Sequence, residues 1–439
     1  EGYSLLSVNN PLPMLWVWGV YTMLIDLSGK EVHDYSGVWA GKMLPGGAVL
    51  GLGHHSLGRL DFASLNQQAW DGTLEWTFYE WEYYVGKVGW ASRSHHDFQR
   101  EGNPVGYYAP GQDFVIEGNT LVLAHADELR PEISRRRLQD DIIYEIDWTG
   151  ASVFEWHAAD HIDEFGFDEA ALAEIYSLGG DWLHSNSVSW LGENHWYEDT
   201  DDARFHPKNI ILCSRNAGFI IIIDYQTGEV VWRVGPDYSE GMPGADVGPL
   251  IGLHHSHMIP KGLCGEGNIL LFDNGGSSGY GGTGGKYTRD YSRVVEFDPT
   301  SFEIIWEYSP ANGDRLDFSS VISGVQRLPC GNTLITSGVR GQVLEVTAER
   351  QIVWEYISPY GVLFNQVYRS YRIPPEWLPE NPAGYVPWES CTVYCGVANA
   401  EASSYGSNSL LVSGVFNELV LLVFPVGAVI FLRIIRRKI

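Results

Sequence analysis

Three histidine-rich clusters hold the residues of this sequence best suited to chemistry. They are the segment Arg93–Asp97, which contains His95 and His96, the segment Asp181–Asn186 with His184, and the run 254–257, which reads HHSH. A neutral imidazole can attack an electrophile or take up a proton, and an imidazolium can donate one. Each cluster falls at the same phase of a repeat, between two strand patterns. We therefore expect the clusters to converge in one site.

The repeat consists of an apolar strand, a Gly-rich or polar turn, and a second strand that ends in an aromatic residue. Its copies are Leu24–Tyr35, Ile143–His157, Ile221–Val234, Val294–Tyr308 and Val343–Tyr356, with a degenerate copy at Gln68–Tyr79. Apolar and polar residues alternating around a short turn are typical of β-hairpins. A further strand after a Gly-Asn or Gly-Gly turn interleaves with the hairpins. Six such units predict an all-β, six-bladed propeller over residues 1–373, with an N-terminal strand completing the last blade and one helix at Glu164–Tyr176.

The composition of the chain argues against two classes of protein, those that bind nucleic acid and those that are disordered. The 439 residues include 28 Lys and Arg against 55 Asp and Glu, a net charge of −27. Such acidity argues against nucleic-acid binding, because a phosphate backbone would be repelled. A hydrophobic fraction of 44% excludes global disorder.

The C-terminal region predicts an anchor. Residues 374–409 are interpreted as an extension, in which we expect Cys391 and Cys395 to form a small disulfide loop. Residues 410–432 predict a single transmembrane helix, followed by a basic tail at 433–439. The positive-inside rule then places the tail in the cytoplasm and the propeller on the extracytoplasmic side, periplasmic or extracellular. The partners expected on this basis are the lipid bilayer and either another membrane protein or further copies of the chain.

The order of the motifs resembles a known family. DWLHSN, HHSHMIP before GNILLFDNG, YSRVVEF and QRLPCGNTLIT occur in this sequence in the order typical of arylsulfotransferases (arylsulfate sulfotransferases). The resemblance covers most of residues 24–356. It implies a six-bladed propeller that transfers a sulfuryl group from a phenolic sulfate donor to a phenol acceptor without a nucleotide donor. We expect no cofactor and no metal.

The resemblance also implies site residues. His184 and His255 are expected to be supporting histidines, with His254 and His257 as alternative registers of His255. Arg293, in YSRVVEF, is expected to hold the sulfate oxygens, since a guanidinium stabilises charge on a sulfuryl group in transfer.

The sequence lacks a histidine at the position expected for the family's nucleophile. The family's nucleophilic histidine is expected near residues 337–342, where Gln342 stands instead, and glutamine cannot form a stable sulfo-enzyme. Either His95, His96 or a histidine of the 254–257 run acts as the nucleophile, or the fold has been kept without this chemistry.

Other interpretations stay open. A transition metal could be bound by converging histidines of the three clusters, namely His95, His96, His184, His255 and His257. The glycine-rich segment 275–285 lacks a phosphate-loop ending and is expected to form a flexible loop or a lid over the channel. The alternative to an enzyme is a non-catalytic propeller that acts as an anchored scaffold, a complex subunit or a surface-lattice or binding component.

Overall fold

A computed structural model describes residues 2–12, 17–53, 56–58, 61–84, 89–280, 286–359 and 365–388, together with three short strands at 410–412, 419–423 and 429–433. The fold is an all-β, six-bladed propeller, as the repeats predict. Each blade contains four antiparallel strands, and the innermost strands of the blades contact one another around a central channel. Further strands extend two of these sheets, three in blade 3 and one, Leu410–Val412, in blade 6.

In each blade the first strand named lies next to the channel and the last lies at the outer edge. Blade 1 contains Val367–Ile373, Tyr3–Leu12, Val17–Ile25 and Glu31–Tyr35, and blade 2 contains Val38–Met43, Val49–Gly53, Leu65–Gln68 and Leu74–Phe78. Blade 3 contains Ser94–Arg100, Thr120–Glu128, Leu138–Ile146 and Ser152–His157, and blade 4 contains Ser185–Trp190, Ile210–Ser214, Phe219–Ile223 and Val230–Val234. Blade 5 contains His254–Met258, Ile269–Asp273, Arg293–Phe297 and Ile304–Tyr308, and blade 6 contains Gly324–Arg327, Thr333–Ser337, Gln342–Val346 and Ile352–Ile357.

The ring closes within blade 1. Its innermost strand, Val367–Ile373, comes from the end of the propeller and pairs antiparallel with Tyr3–Leu12. Three N-terminal strands and one C-terminal strand therefore share this blade, whereas the sequence predicts a single N-terminal strand completing the last blade. Blade 6, which holds the last repeat copy, is complete without them.

A tryptophan near the end of five of the repeats joins neighbouring blades. On the outermost strand of five blades, a tryptophan indole N–H donates to a backbone carbonyl in the outer hairpin turn of the next blade. These bonds are Trp76 to Trp148, Trp156 to Gly228, Trp232 to Pro299, Trp306 to Ala348 and Trp354 to Leu27, all at 2.8–3.0 Å. At the sixth interface His33 of blade 1 stacks on Trp70 of blade 2, with ring centroids 4.0 Å apart. In these five blades the indole N–H is satisfied by the next blade, and the rings of Trp156, Trp232 and Trp354 are also buried.

Short strands and two helices lie outside the four main strands of each blade. Additional strands occur at Ser56–Gly58, Asp61–Phe62, Glu82–Tyr84, Gly89–Ala91, Gly180–Asp181, Gly276–Ser278 and Tyr287–Arg289. The predicted helix is present at Glu169–Leu178, where the side chain of Asp168 accepts from the N–H of Ala171 and caps it. A second helix, His195–Thr200, is capped by Asn194 in the same way, and the strand patterns of the sequence did not indicate it.

The transmembrane helix predicted for residues 410–432 is not supported. Within that segment the described residues form strands, Leu410–Val412, Leu419–Val423 and Val429–Arg433, and the rest lies outside the described residues. Leu419–Val423 pairs antiparallel with Val429–Arg433, and the sequence between them contains a proline and a glycine, which disfavour a continuous helix. In the parts of the chain that the structure describes, no helix is long and apolar enough to cross a bilayer.

The disulfide predicted between Cys391 and Cys395 is also not supported. Both residues lie outside the described residues. Among the cysteines that the structure describes, Cys264 is disulfide-bonded. Cys213 is a buried free thiol on a strand of blade 4, and Cys330 is an exposed free thiol in a turn.

Candidate functional site

β-Bulges turn selected side chains of the innermost strands toward other blades. Ala40, His96 and His255 lie on the innermost strands of blades 2, 3 and 5 with φ of 54°, 53° and 53°. The pairing register of each strand shifts at the same place. This left-handed conformation is uncommon for residues other than glycine, and a bulge redirects the side chain it carries. His96 therefore reaches Tyr368 of blade 1, and His255 reaches the backbone of Val325 in blade 6.

A buried ion-pair network crosses the channel. Arg369 of blade 1 donates from Nη2 to the carbonyl of Asn186 in blade 4, on the opposite side of the ring, at 2.9 Å. Its Nη1 lies 3.2 Å from Asp97 Oδ2 of blade 3, and Asp97 Oδ1 accepts from Lys42 Nζ of blade 2 at 2.6 Å. Burial lowers the pKa of Lys42 to about 8 although Asp97 opposes this shift. The network links four blades and fills the middle of the channel.

The histidines of the 254–257 run use both ring nitrogens in hydrogen bonds. His254 Nδ1 lies 2.8 Å from Asn274 Oδ1, and its Nε2 accepts from the N–H of Ile322. His257 Nδ1 lies 2.9 Å from the carbonyl of His255, and its Nε2 lies 2.9 Å from the hydroxyl of Tyr107.

His255 follows the same pattern. Its Nδ1 accepts from the N–H of Val325, which leaves the ring proton on Nε2, 3.5 Å from the hydroxyl of Tyr371. Burial lowers the pKa of His254 to about 3, that of His257 to about 4, and that of His255 well below its usual value. All three are therefore neutral, and none has a lone pair available for attack.

His96 differs from them. The hydroxyl of Tyr368 donates to the backbone carbonyl of His96 at 2.8 Å, so at 3.1 Å the same oxygen can only accept from His96 Nδ1–H. Burial, followed by the neighbouring His184, holds the pKa of His96 well below its usual value. Its Nε2 consequently carries a lone pair, and this buried atom has no hydrogen-bond partner in the described part of the chain.

His184 lies beside His96, with ring centroids 4.9 Å apart. Its Nδ1 is 2.5 Å from Asp181 Oδ2, an orientation that directs Nε2 away from the carboxylate. The backbone N–H of Arg215 donates to the carbonyl of His184, and burial lowers the pKa of the Arg215 guanidinium while Asp181 raises it. The hydroxyl of Tyr280 donates to the carbonyl of Trp182, two residues before His184.

Arg293 and Gln342 do not join this group. Arg293 Nε donates to Asp273 at 2.8 Å, and its two other nitrogens contact Glu307 and the carbonyl of Val247. Gln342 begins the third strand of blade 6, two strands from the channel. Its side chain accepts from the N–H of Asp317 and donates to Glu355.

Sequence reasoning missed the residues of the closing strand. Tyr368, Arg369 and Tyr371 follow the last repeat copy, and no hairpin repeat marked them as channel residues. The signal that could have found them is the alternation of aromatic and basic residues in YRSYR at 368–372. Arg215 was missed because it lies in the tight turn between two apolar strands of blade 4.

Solved structures similar to this chain share little sequence with it. A protein of unknown function from Bacteroides caccae is 11% identical, with 85% of this chain and 99% of that chain covered and a TM-score of 0.46. A putative 6-phosphogluconolactonase from Bacteroides fragilis is 11% identical over 85% and 98% of the two chains, with a TM-score of 0.39. Virginiamycin B lyase from Staphylococcus aureus is 11% identical over 82% and 92%, with a TM-score of 0.34.

No curated protein matches the chain. The sequence model of the arylsulfotransferase (ASST) family matches residues 112–358, more than half of the chain. This range includes His184, the 254–257 run and Arg215, and it ends before the closing strand of blade 1. The chain is therefore a member of the arylsulfotransferase family.

Proposed function

We propose that this protein transfers a sulfuryl group from a phenolic sulfate to a phenol acceptor, with His96 as the nucleophile. The observation that carries the proposal is the unpartnered Nε2 lone pair of His96, a buried atom beside His184 and near the channel axis. A neutral imidazole at such a place is suited to covalent catalysis, because a desolvated lone pair attacks without first losing hydrogen bonds to water.

In the first half-reaction His96 Nε2 attacks the sulfur of the aryl sulfate. The N–S bond forms as the bond between sulfur and the aryl oxygen breaks, and the departing phenolate takes a proton from Nε2 of a protonated His184. Asp181 orients His184 and stabilises its imidazolium, the role that a carboxylate plays beside a general acid–base histidine.

In the second half-reaction the acceptor phenol gives its proton to His184 and attacks the sulfur. The N–S bond breaks, the aryl sulfate product forms, and His96 recovers its lone pair. Arg215 is the cation that we assign to the sulfuryl oxygens, since the guanidinium of Arg293 is occupied by Asp273 and Glu307.

The test uses a chromogenic aryl sulfate with a phenol acceptor and no nucleotide sulfate. We expect release of the donor phenol by the wild-type protein and a loss of at least about 10²-fold in kcat for His96→Gln. His161→Gln is the matched control, because His161 contacts Glu164 and Trp156 in the outer part of blade 3. If the wild-type protein is folded and inactive over a panel of aryl sulfates, the alternative of a non-catalytic binding or scaffold propeller replaces this proposal.

Location remains part of the proposal. The large excess of acidic residues, a net charge of −27, supports an extracytoplasmic propeller. Protease added to intact cells should cleave the propeller, and protection of the whole chain would exclude this location.

A further inference from the structure

Blade 3 contains a second cluster of titratable groups, which the sulfuryl-transfer proposal does not use. His95, His125 and Asp141 lie on three adjacent strands of the blade, and His95 Nε2, His125 Nε2 and Asp141 Oδ1 lie within 4.8 Å of one another. We propose that these three side chains bind one divalent transition-metal ion. The set differs from the five histidines that the sequence suggests as metal ligands, because it includes His125 and a carboxylate.

Two of the three separations match the edges of a coordination tetrahedron. Asp141 Oδ1 lies 3.1 Å from His95 Nε2 and 3.4 Å from His125 Nε2. Ligands about 2.0–2.1 Å from a tetrahedral ion lie roughly 3.4 Å apart, so the observed spacing needs little adjustment. The two imidazole rings are stacked at 3.6 Å, and we expect them to tilt toward each other when an ion is bound.

The three ligand atoms lack hydrogen bonds. His95 Nε2, His125 Nε2 and Asp141 Oδ1 are all buried without a hydrogen-bond partner of acceptable geometry among the described residues. Three orphaned polar atoms that face one another are costly in a protein interior, where polar groups are normally satisfied. A bound cation would satisfy all three at once.

The groups behind the ligands are arranged as they are in metal sites. Asp61 Oδ1 lies 2.6 Å from His125 Nδ1 and holds the ring proton there, which leaves Nε2 as the ligand atom. Asp61 is itself fixed by Arg93, whose Nε donates to its other oxygen at 2.7 Å. The second oxygen of Asp141 accepts from the N–H of Ser185 at 2.9 Å, so the first remains directed at the histidines.

The donor set selects the class of ion. Two imidazoles and one carboxylate suit zinc, iron(II), cobalt(II) or manganese, whereas calcium and magnesium prefer oxygen ligands only. The ligand side chains are at most 1% exposed. With neutral histidines, Asp61 and Asp141 exceed the single positive charge of Arg93, which leaves negative charge for a cation to neutralise. A proton competes with the metal ion for His125, because the carboxylates Asp141 and Asp61 raise the pKa of His125 to about 10 despite the opposing effect of burial.

A metal ion at this site would stabilise the strand that carries His96, the proposed nucleophile. His95 precedes His96, and their rings lie 5.3 Å apart. An ion bound to His95 would therefore fix the bulge of blade 3 without touching the sulfuryl group.

The test is cobalt binding by the full chain. The protein is stripped with a chelator, equilibrated with Co²⁺ and dialysed, and bound metal is measured by mass spectrometry together with visible ligand-field absorption. We expect one Co²⁺ per chain, retained by His157→Gln and lost from the double variant His125→Gln/Asp141→Asn. His157 is the control because it belongs to the other group of potential ligands in blade 3, with Glu128 and Asp140.

Two further measurements test the proposal if the double variant fails to fold. X-ray absorption of the wild-type Co²⁺ protein should show nitrogen and oxygen ligands with the scattering of two imidazoles. Asp61→Asn, which leaves the ligands in place, should weaken Co²⁺ binding about 10- to 100-fold. The proposal is overturned if the wild-type protein retains no Co²⁺, if the double variant retains as much as the wild type, or if His157→Gln abolishes binding.

Discussion

Tyr368 and His96 make two contacts with each other across the channel. The hydroxyl of Tyr368 donates to the backbone carbonyl of His96 at 2.8 Å and lies 3.1 Å from Nδ1 of the same residue. This pairing holds the ring proton on Nδ1 and leaves the lone pair on Nε2. The tautomer that the proposed sulfuryl transfer needs is thus selected by a residue 272 positions away in the chain.

Tyr368→Phe tests this pairing. The variant keeps the ring that stacks on His96 but removes the oxygen that accepts from Nδ1–H. A hydrogen bond worth about 1 kcal/mol corresponds to a fall of roughly fivefold in kcat with little change in KM. Steady-state kinetics with the chromogenic donor measure it, and an unchanged kcat would show that Tyr368 does not set the tautomer.

A leaving-group series tests His184 as the acid. If His184 protonates the departing phenolate, His184→Gln should slow a donor with a basic phenolate, such as phenyl sulfate, at least about tenfold more than 4-nitrophenyl sulfate. Asp181→Asn should show the same selectivity, since Asp181 orients the ring. Equal losses for both donors would assign His184 a purely structural role.

Arg215 and Arg293 provide a matched comparison of two guanidinium groups. We expect Arg215→Met to lower kcat/KM for the aryl sulfate by about 10²-fold, because it removes the cation that we assign to the sulfuryl oxygens. Arg293→Met breaks ion pairs with Asp273 and Glu307, and its main effect should be a lower free energy of unfolding. Kinetics and urea unfolding of both variants separate the two roles, and a reversed pattern would restore Arg293 as the sulfate-binding residue.

Acid should destabilise the propeller through its buried histidines. Burial lowers the pKa of His254 to about 3 and that of His257 to about 4, whereas in the unfolded chain both titrate near about 6.5. Between about pH 6 and 5 the unfolded state therefore binds more protons than the folded state. Stability that is present above the unfolded pKa is lost as the pH falls, by up to about 1.4 kcal/mol per pH unit for each histidine.

Urea unfolding across that pH range measures the slope. His257→Gln removes one of the buried neutral histidines and should flatten the dependence by the share of one group. A slope that does not change in this variant would mean that His257 is charged in the folded protein.

The repeats could be predicted because each blade needs its own copy of the same local contacts. The tryptophans of the outer strands, such as Trp156 and Trp232, bond to the next blade's hairpin turn, and that requirement recurs in the sequence as a visible pattern. His96 and His184 could likewise be identified as channel residues from their phase in the repeat.

The chemistry of each histidine could not be predicted in the same way. Whether a ring nitrogen is available depends on single contacts from other blades, such as the N–H of Val325 on His255 or the hydroxyl of Tyr107 on His257. These contacts follow no repeat. The sequence predicts the nucleophile near Gln342, which lies on the third strand of its blade. Similarity along the sequence does not reveal how far a residue lies from the channel axis.

The central claim is that His96 carries the sulfuryl group, and trapping of the sulfo-enzyme tests it most directly. The protein is mixed with a ³⁵S-labelled aryl sulfate in the absence of acceptor, quenched in base to preserve an N–S bond, digested and mapped by mass spectrometry. We predict one labelled peptide, with the sulfuryl group on His96, which loses its label when a phenol is added and is absent from His96→Gln. A label on another residue, or equal labelling of His96→Gln, would contradict the account.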